Sequence, residues 1–189
     1  SQSPLPEVFS EEVKTEIASL PHVDKVSGLL DDLIGIEDVP MVLVFGWELN
    51  TFLWDHLKLA QGRWPTNHLE KAVVMGPMIA ELLKKKVGDR VQIDTSEFTV
   101  CGIYESAAFL ENASLIMPLQ SLQILMGKTG QIRHLNIKLK PGVTEEEAAA
   151  LRRTIEERHA NFKAFSAGEI TRNNTALQMA RGMSWATSI

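Results

Sequence analysis

Ala72-Val73-Val74-Met75-Gly76-Pro77, Val87-Gly88-Asp89-Arg90-Val91-Gln92-Ile93 and Phe98-Thr99-Val100-Cys101-Gly102-Ile103-Tyr104 are the three runs whose reading decides the fold. Each is an apolar stretch bounded or interrupted by glycine. The first predicts a strand over 72–75. Gly76-Pro77 then opens a helix, because a proline at a first-turn position gives up an N–H that had no partner anyway. Met78, Ile79, Leu82 and Leu83 carry that helix toward Val87-Gly88-Asp89. Two strands, 90–94 and 98–105, follow, and Thr95-Ser96-Glu97 is short enough to turn a hairpin between them.

Upstream, Ser10 can cap a helix carrying Val13, Ile17 and Leu20 at i, i+4 and i+7, ended by Pro21. Residues 26–30 read as a strand. Residues 31–40 hold four acids and a glycine and read as a loop. Met41-Val42-Leu43-Val44-Phe45 is a continuous apolar run short enough for a strand buried on both faces. Residues 52–59 suggest a short helix. Downstream, 115–117 is a strand stopped by Pro118, and 119–126 a helix. Gly127 then serves as a left-handed helix stop.

The last third is the most regular. Leu135, Ile137 and Leu139 alternate with polar residues, as in a strand with one buried face. Thr144 and Glu147 have capping-box spacing, and Ala148, Leu151 and Ile155 mark the buried stripe of a helix. Residues 162–165 return as a strand, completing a β-α-β unit. Ser10-Glu11-Glu12 and its continuation echo Thr144-Glu145-Glu146, a weak internal repeat whose first copy lacks a leading strand. Leu177, Met179, Met183, Trp185 and Ile189 lie on a run read as a helical tail, in which Trp185 fits the lead-in to a membrane span. The fold class expected is α+β: a sandwich subdomain built from both chain ends, 1–46 and 131–189, with a strand-rich subdomain, 47–130, inserted between them.

Composition excludes several functions. Apolar residues are 44% and charged residues 23% of the 189, enough for a true core and too ordinary for disorder. Net charge is −5 with no basic block, which argues against nucleic acid. Lys84-Lys85-Lys86 reads as the solvated end of a helix. Cys101 is the only cysteine, so no internal disulfide can form, and its place in a strand makes it a packing residue. No stretch reaches the roughly 18 apolar residues of a membrane helix. No leader is visible, and both ends read as cut from a longer protein.

No catalytic, cofactor-binding or metal site is predicted. His22, His56, His68, His134 and His159 show no zinc spacing. Gly127-Lys128-Thr129 lacks the second glycine of a phosphate loop, since position 122 is Leu122. Leu33, Ile34 and Ile36 interrupt Asp31, Asp32, Glu37 and Asp38, so these acids read as a solvated loop and not a calcium site. No nucleophile elbow is present, although a Ser–His–acid set assembled in space stays open. Asn112-Ala113-Ser114 and Asn173-Asn174-Thr175 match a glycosylation triplet that carries little meaning here. Trp47, Trp54, Trp64 and Trp185 read as core or subdomain-junction residues, with a partner-facing role as the alternative.

The ordered series Gly62-Arg63, Val74 to Gly76, Gly88-Asp89-Arg90-Val91, Phe98 to Ile103, Met117-Pro118-Leu119, the β-α-β unit and the tail resembles the extracytoplasmic domain of an ABC transporter permease of the MacB/FtsX type. The resemblance implies a porter-like subdomain from both ends and a sabre-like insertion. It implies no enzyme and no cofactor. The domain would lie on the periplasmic side of the cell inner membrane, anchored there in the full-length protein. Its partners would be a cytoplasmic ABC ATPase subunit, a second permease copy or homologue, and a periplasmic adaptor or substrate protein. Its task would be to transmit ATP-driven motion, in export, lipoprotein release or mechanotransmission. Two further readings stand beside it: a stand-alone ligand- or peptide-binding module, and a hydrolase whose triad is invisible in sequence.

Overall fold

A computed structural model describes residues 5–166 and 176–181. The described chain forms two units, one from residues up to Gly28 and from Gly130 onward, the other from Leu29–Thr129.

In the first unit a two-residue strand, β1 (Phe9–Ser10), leads into helix α1 (Val13–Ala18). Ser10 Oγ accepts from Glu12 N at 3.2 Å, so it braces the turn before the helix without capping it. Strand β2 (Val23–Ile36) then carries the chain out of this unit.

The second half of β2 corrects the expected loop at 31–40. Residues 29–36 pair antiparallel with β3 (Val39–Trp47) around a tight turn in which Glu37 has φ +50°. Leu30, Ile34 and Ile36 are buried, and that period-two signal is masked by the acids between them. The acids are answered from far along the chain. Lys128 Nζ lies 2.9 Å from Asp32 and Lys85 Nζ 2.8 Å from Glu37. Asp31 is buried on the strand.

The helix expected at 52–59 is only a 3₁₀ turn, Phe52–Trp54, followed by strand β4 (Lys58–Gly62). Strand β5 (Ala72–Met75), helix α2 (Pro77–Leu83, with Pro77 in its first turn) and strands β6 (Arg90–Ile93) and β7 (Ser96–Glu105) follow as the sequence predicts. The hairpin turn is Asp94-Thr95, one residue earlier than expected, with Asp94 at φ +51° and Ser96 already paired to Ile93. Helix α3 (Phe109–Asn112), strand β8 (Leu115–Pro118) and helix α4 (Leu119–Leu125) complete the unit. Gly127 takes the left-handed φ of +64° expected of a helix stop.

The sheet of this unit mixes directions. β3 runs parallel to β8, β8 antiparallel to β5, β5 parallel to β7, and β7 antiparallel to both β4 and β6. All four residues of β5 and of β8 are buried, which explains their uniformly apolar sequence. Tryptophans fill one side. Trp47 lies in the core with ring centroids 5.3 Å from Trp54, and Trp54 lies 5.4 Å from Trp64.

The chain re-enters the first unit at β9 (Gln131–Ile132), which pairs with β1, and continues into β10 (His134–Leu139). Helix α5 (Glu145–Arg158) starts with the predicted capping box. Thr144 Oγ1 accepts from Glu147 N at 3.2 Å, and Thr144 N donates to Glu147 at 2.9 Å. Leu151 and Ile155 are buried one turn apart. Strand β11 (Phe162–Ser166) follows.

The β-α-β unit is split. Strand β12 (Ala176–Arg181) lies between β10 and β11, antiparallel to both. This corrects the helical reading of Leu177 and Met179. Those residues also alternate with Gln178 and Ala180 at period two, and two open strand edges capture them as a strand. Met183, Trp185 and Ile189 lie outside the described residues. The break between units falls within β2 at Gly28 and Leu29, where the sequence reading places it after Gly46; β3 pairs with β8 and so belongs with the central segment.

Candidate functional site

The most elaborated surface feature is the loop at residues 106–114, between β7 and β8 in the second unit. Its sequence, Ser106-Ala107-Ala108-Phe109-Leu110-Glu111-Asn112-Ala113-Ser114, puts four apolar residues in a row on the outside. Phe109 is 71% and Leu110 54% exposed. Met78 and Leu82 are also exposed, on the neighbouring α2.

A tip this apolar would collapse inward if it were slack, and it is held by polar contacts on every side. The Asn112 side chain donates to Ser106 O at 2.7 Å and accepts from Ser106 N at 2.9 Å, closing the loop at its neck. Tyr104, fully buried on β7, directs its hydroxyl at Glu111 O, 2.6 Å, and Ser114 O, 2.9 Å. Burial pushes the Tyr104 phenol well above its ordinary range, so it stays a donor. Ser114 Oγ donates to Leu110 O at 2.6 Å. Gly76 N donates to Ser114 O at 3.0 Å, and Gly76 lets the Asn112 backbone come so close that any Cβ there would lie 2.3 Å from Asn112 O.

Ser106, His56 and Glu111 are brought together here, and these are the residue types of a hydrolytic triad. The wiring differs. Glu111 stands at the centre: Ser106 Oγ donates to its Oε1 at 2.5 Å, and His56 Nε2 lies 2.9 Å from both its oxygens. A nucleophilic serine needs its hydroxyl on the imidazole, which takes the proton. The Ser106 hydroxyl oxygen also accepts from Ala108 N at 3.0 Å. The trio therefore braces the loop. The hydrogen bond to Glu111 raises the His56 pKa above its usual value. Burial opposes this, and the Glu111 charge, the Leu53 carbonyl and Asp55 reinforce it.

The other sequence candidates remain scattered. His159 Nε2 meets Glu16 at 3.1 Å, His134 is buried on β10, and His22 sits at a turn with φ +70°. Lys128 Nζ faces Asp32 and not a phosphate loop. Among the described residues no group of three or more His, Cys, Asp or Glu side chains is placed to hold a metal ion. Cys101 is buried, and that burial pushes its thiol up to about 11. Asn112 of the glycosylation triplet has its amide committed to Ser106. Sequence reading missed the 106–114 loop. Its one legible signal was an apolar quartet in a segment with neither strand nor helix periodicity.

The sequence profile of the MacB-like periplasmic core domain matches residues 2–154. The chain belongs to this family. The MacB-like domain is the extracytoplasmic part of an ABC transporter permease. Its fold is similar to the crystal structure of the periplasmic region of MacB from Actinobacillus actinomycetemcomitans, with a TM-score of 0.66 at 14% identity, covering 94% of this chain and 80% of that one. It is similar also to the extracellular domain of the noncanonic ABC-type transporter YknZ from Gram-positive bacteria, with a TM-score of 0.63 at 14% identity, covering 82% of this chain and 91% of that one. No protein of curated function matches the chain in sequence. Among the described residues no helix of this MacB-like domain is long and apolar enough to cross a membrane.

Proposed function

We propose that this MacB-like domain transmits ATP-driven motion of its transporter to the outside of the cytoplasmic membrane and docks a partner protein there. The family match over residues 2–154 carries this reading. In it, the unit made from both chain ends is the porter part, and the unit Leu29–Thr129 is the inserted sabre part. A cytoplasmic ATPase subunit supplies the work, and a second permease copy or homologue moves against this one. An adaptor or substrate protein meets the domain, which supplies no chemistry of its own. The 106–114 loop supports docking. It shows Phe109 and Leu110 to solvent on a frame already ordered, so a partner's apolar pocket would bind them without the ordering penalty a slack loop imposes.

The test uses full-length permease reconstituted with its ATPase in lipid vesicles. Spin labels at exposed positions on the two extracytoplasmic domains are expected to change separation by several ångströms on ATP binding. A separation distribution unchanged by nucleotide in a complex that still hydrolyses ATP would refute transmission. Replacing Phe109 and Leu110 by Asp is expected to lower transport at least about fivefold with ATPase activity retained. Undiminished transport would remove the tip from the docking surface.

A further inference from the structure

The loop at 106–114 is anchored on its inner side by Tyr104 and Gly76, and on its outer side by one contact alone among those described above, His56 with Glu111. These outer partners are 55 residues apart in sequence and sit on separate elements, the segment after the 3₁₀ turn and α3. Every group that faces the imidazole favours a positive ring or is neutral to it. Glu111 approaches from α3 with both oxygens. The Leu53 carbonyl and Asp55 approach from the ring's own segment. Trp47 of β3 lies 5.9 Å away and carries no charge. An imidazolium has two N–H donors to offer the carboxylate and the carbonyl, whereas a neutral ring has one.

We propose that His56 and Glu111 form a proton-operated latch, which holds the 106–114 loop closed at acidic pH and lets it open more often as the pH rises. The latch is a property of this chain alone and does not depend on what the domain docks. The direction follows from linkage. A histidine whose folded pKa lies above the unfolded value of about 6.5 contributes fully below that value. Its contribution is lost as the pH rises through the folded pKa, so the window opens at about 6.5 and extends upward. An ion pair exposed on the His56 side is partly screened, which keeps the effect moderate.

Amide hydrogen exchange of the 189-residue chain tests this between pH 5.5 and 8.5, with each rate divided by its intrinsic rate. The amides of Ser106, Asn112 and Ser114 are the reporters, because each donates within the loop. Their protection is expected to fall by about fivefold across the window, the difference between a charge-assisted and a neutral hydrogen bond after screening. The midpoint should match the His56 ring titration followed by NMR and lie above 6.5, while amides of β5 stay unchanged. Glu111→Gln keeps the side chain's shape and its acceptor for Ser106. It is expected to flatten the pH dependence at the high-pH level, as is His56→Gln, whose site is half exposed and tolerant. Protection that is flat with pH in the parent chain would overturn the latch, as would pH dependence that persists in His56→Gln.

Discussion

Replacing Gly76 by Ala should destabilise the second unit through one identifiable contact. Gly76 has φ −68° and ψ 157°, a conformation alanine adopts freely, so backbone strain contributes nothing. The new Cβ would lie 2.3 Å from Asn112 O and 2.6 Å from its C and Cα atoms, where ordinary contact begins at 3.4 Å. All three are backbone atoms, so no rotamer change relieves them, and the end of α3 must retreat by about 1 Å. That movement pulls on the Gly76 N bond to Ser114 O and on the Asn112 amide pair with Ser106. Overpacking of this kind costs about 1–3 kcal/mol, and a disrupted buried hydrogen bond adds about 1 kcal/mol. The lower chain entropy of alanine when unfolded offsets about 0.4–1 kcal/mol, leaving a net loss of about 1–3.5 kcal/mol. With a urea slope of about 2 kcal/mol per molar, the midpoint should fall by about 0.5–1.7 M. Tryptophan fluorescence is the suitable probe, because Trp47, Trp54 and Trp64 all lie in this unit. A midpoint within about 0.2 M of the parent would mean that α3 is not seated on Gly76, and the account of the braced loop would fail with it.

Tyr104→Phe should lower unfolding stability of the same unit by about 1–3 kcal/mol in urea titrations, since the carbonyls of Glu111 and Ser114 lose their shared donor. Thr144→Ala should cost about 1 kcal/mol and speed hydrogen exchange in the first turn of α5, because the capping box disappears. Cys101, with its thiol pushed up to about 11, should react with an aromatic disulfide reagent at pH 8 at a small fraction of the unfolded rate. Denaturant should restore full labelling, and rapid labelling of the folded chain would contradict its burial in β7.

What the sequence revealed was local, and what it concealed was held from a distance. The segment 72–105 was readable because its signals are immediate: β5 is apolar throughout, Pro77 opens a helix, and a short polar turn separates β6 from β7. The capping box of α5 likewise spans only four residues. The second half of β2 was hidden because Asp32 on it and Glu37 in the turn after it are paired with Lys128 and Lys85, whose proximity no window of neighbours can show. β12 was hidden because an apolar run of mixed period takes whichever form its neighbours offer, and β10 and β11 offered two edges. The braced loop was the hardest to foresee. Its apolar quartet is visible in sequence, but Tyr104, His56 and Gly76 hold it only after the sheet has formed.

The place of β12 bears on how the protein is made. Synthesis releases every strand of the second unit by residue 118, so that unit can mature while the rest of the chain is still in the ribosome. The first unit cannot. The strand between β10 and β11 emerges after both of them, and until Arg181 is free two nascent edges stand open side by side. For a domain that lies outside the cytoplasmic membrane, that interval is when a chaperone on that side would matter most, and it ends when β12 slides in between β10 and β11.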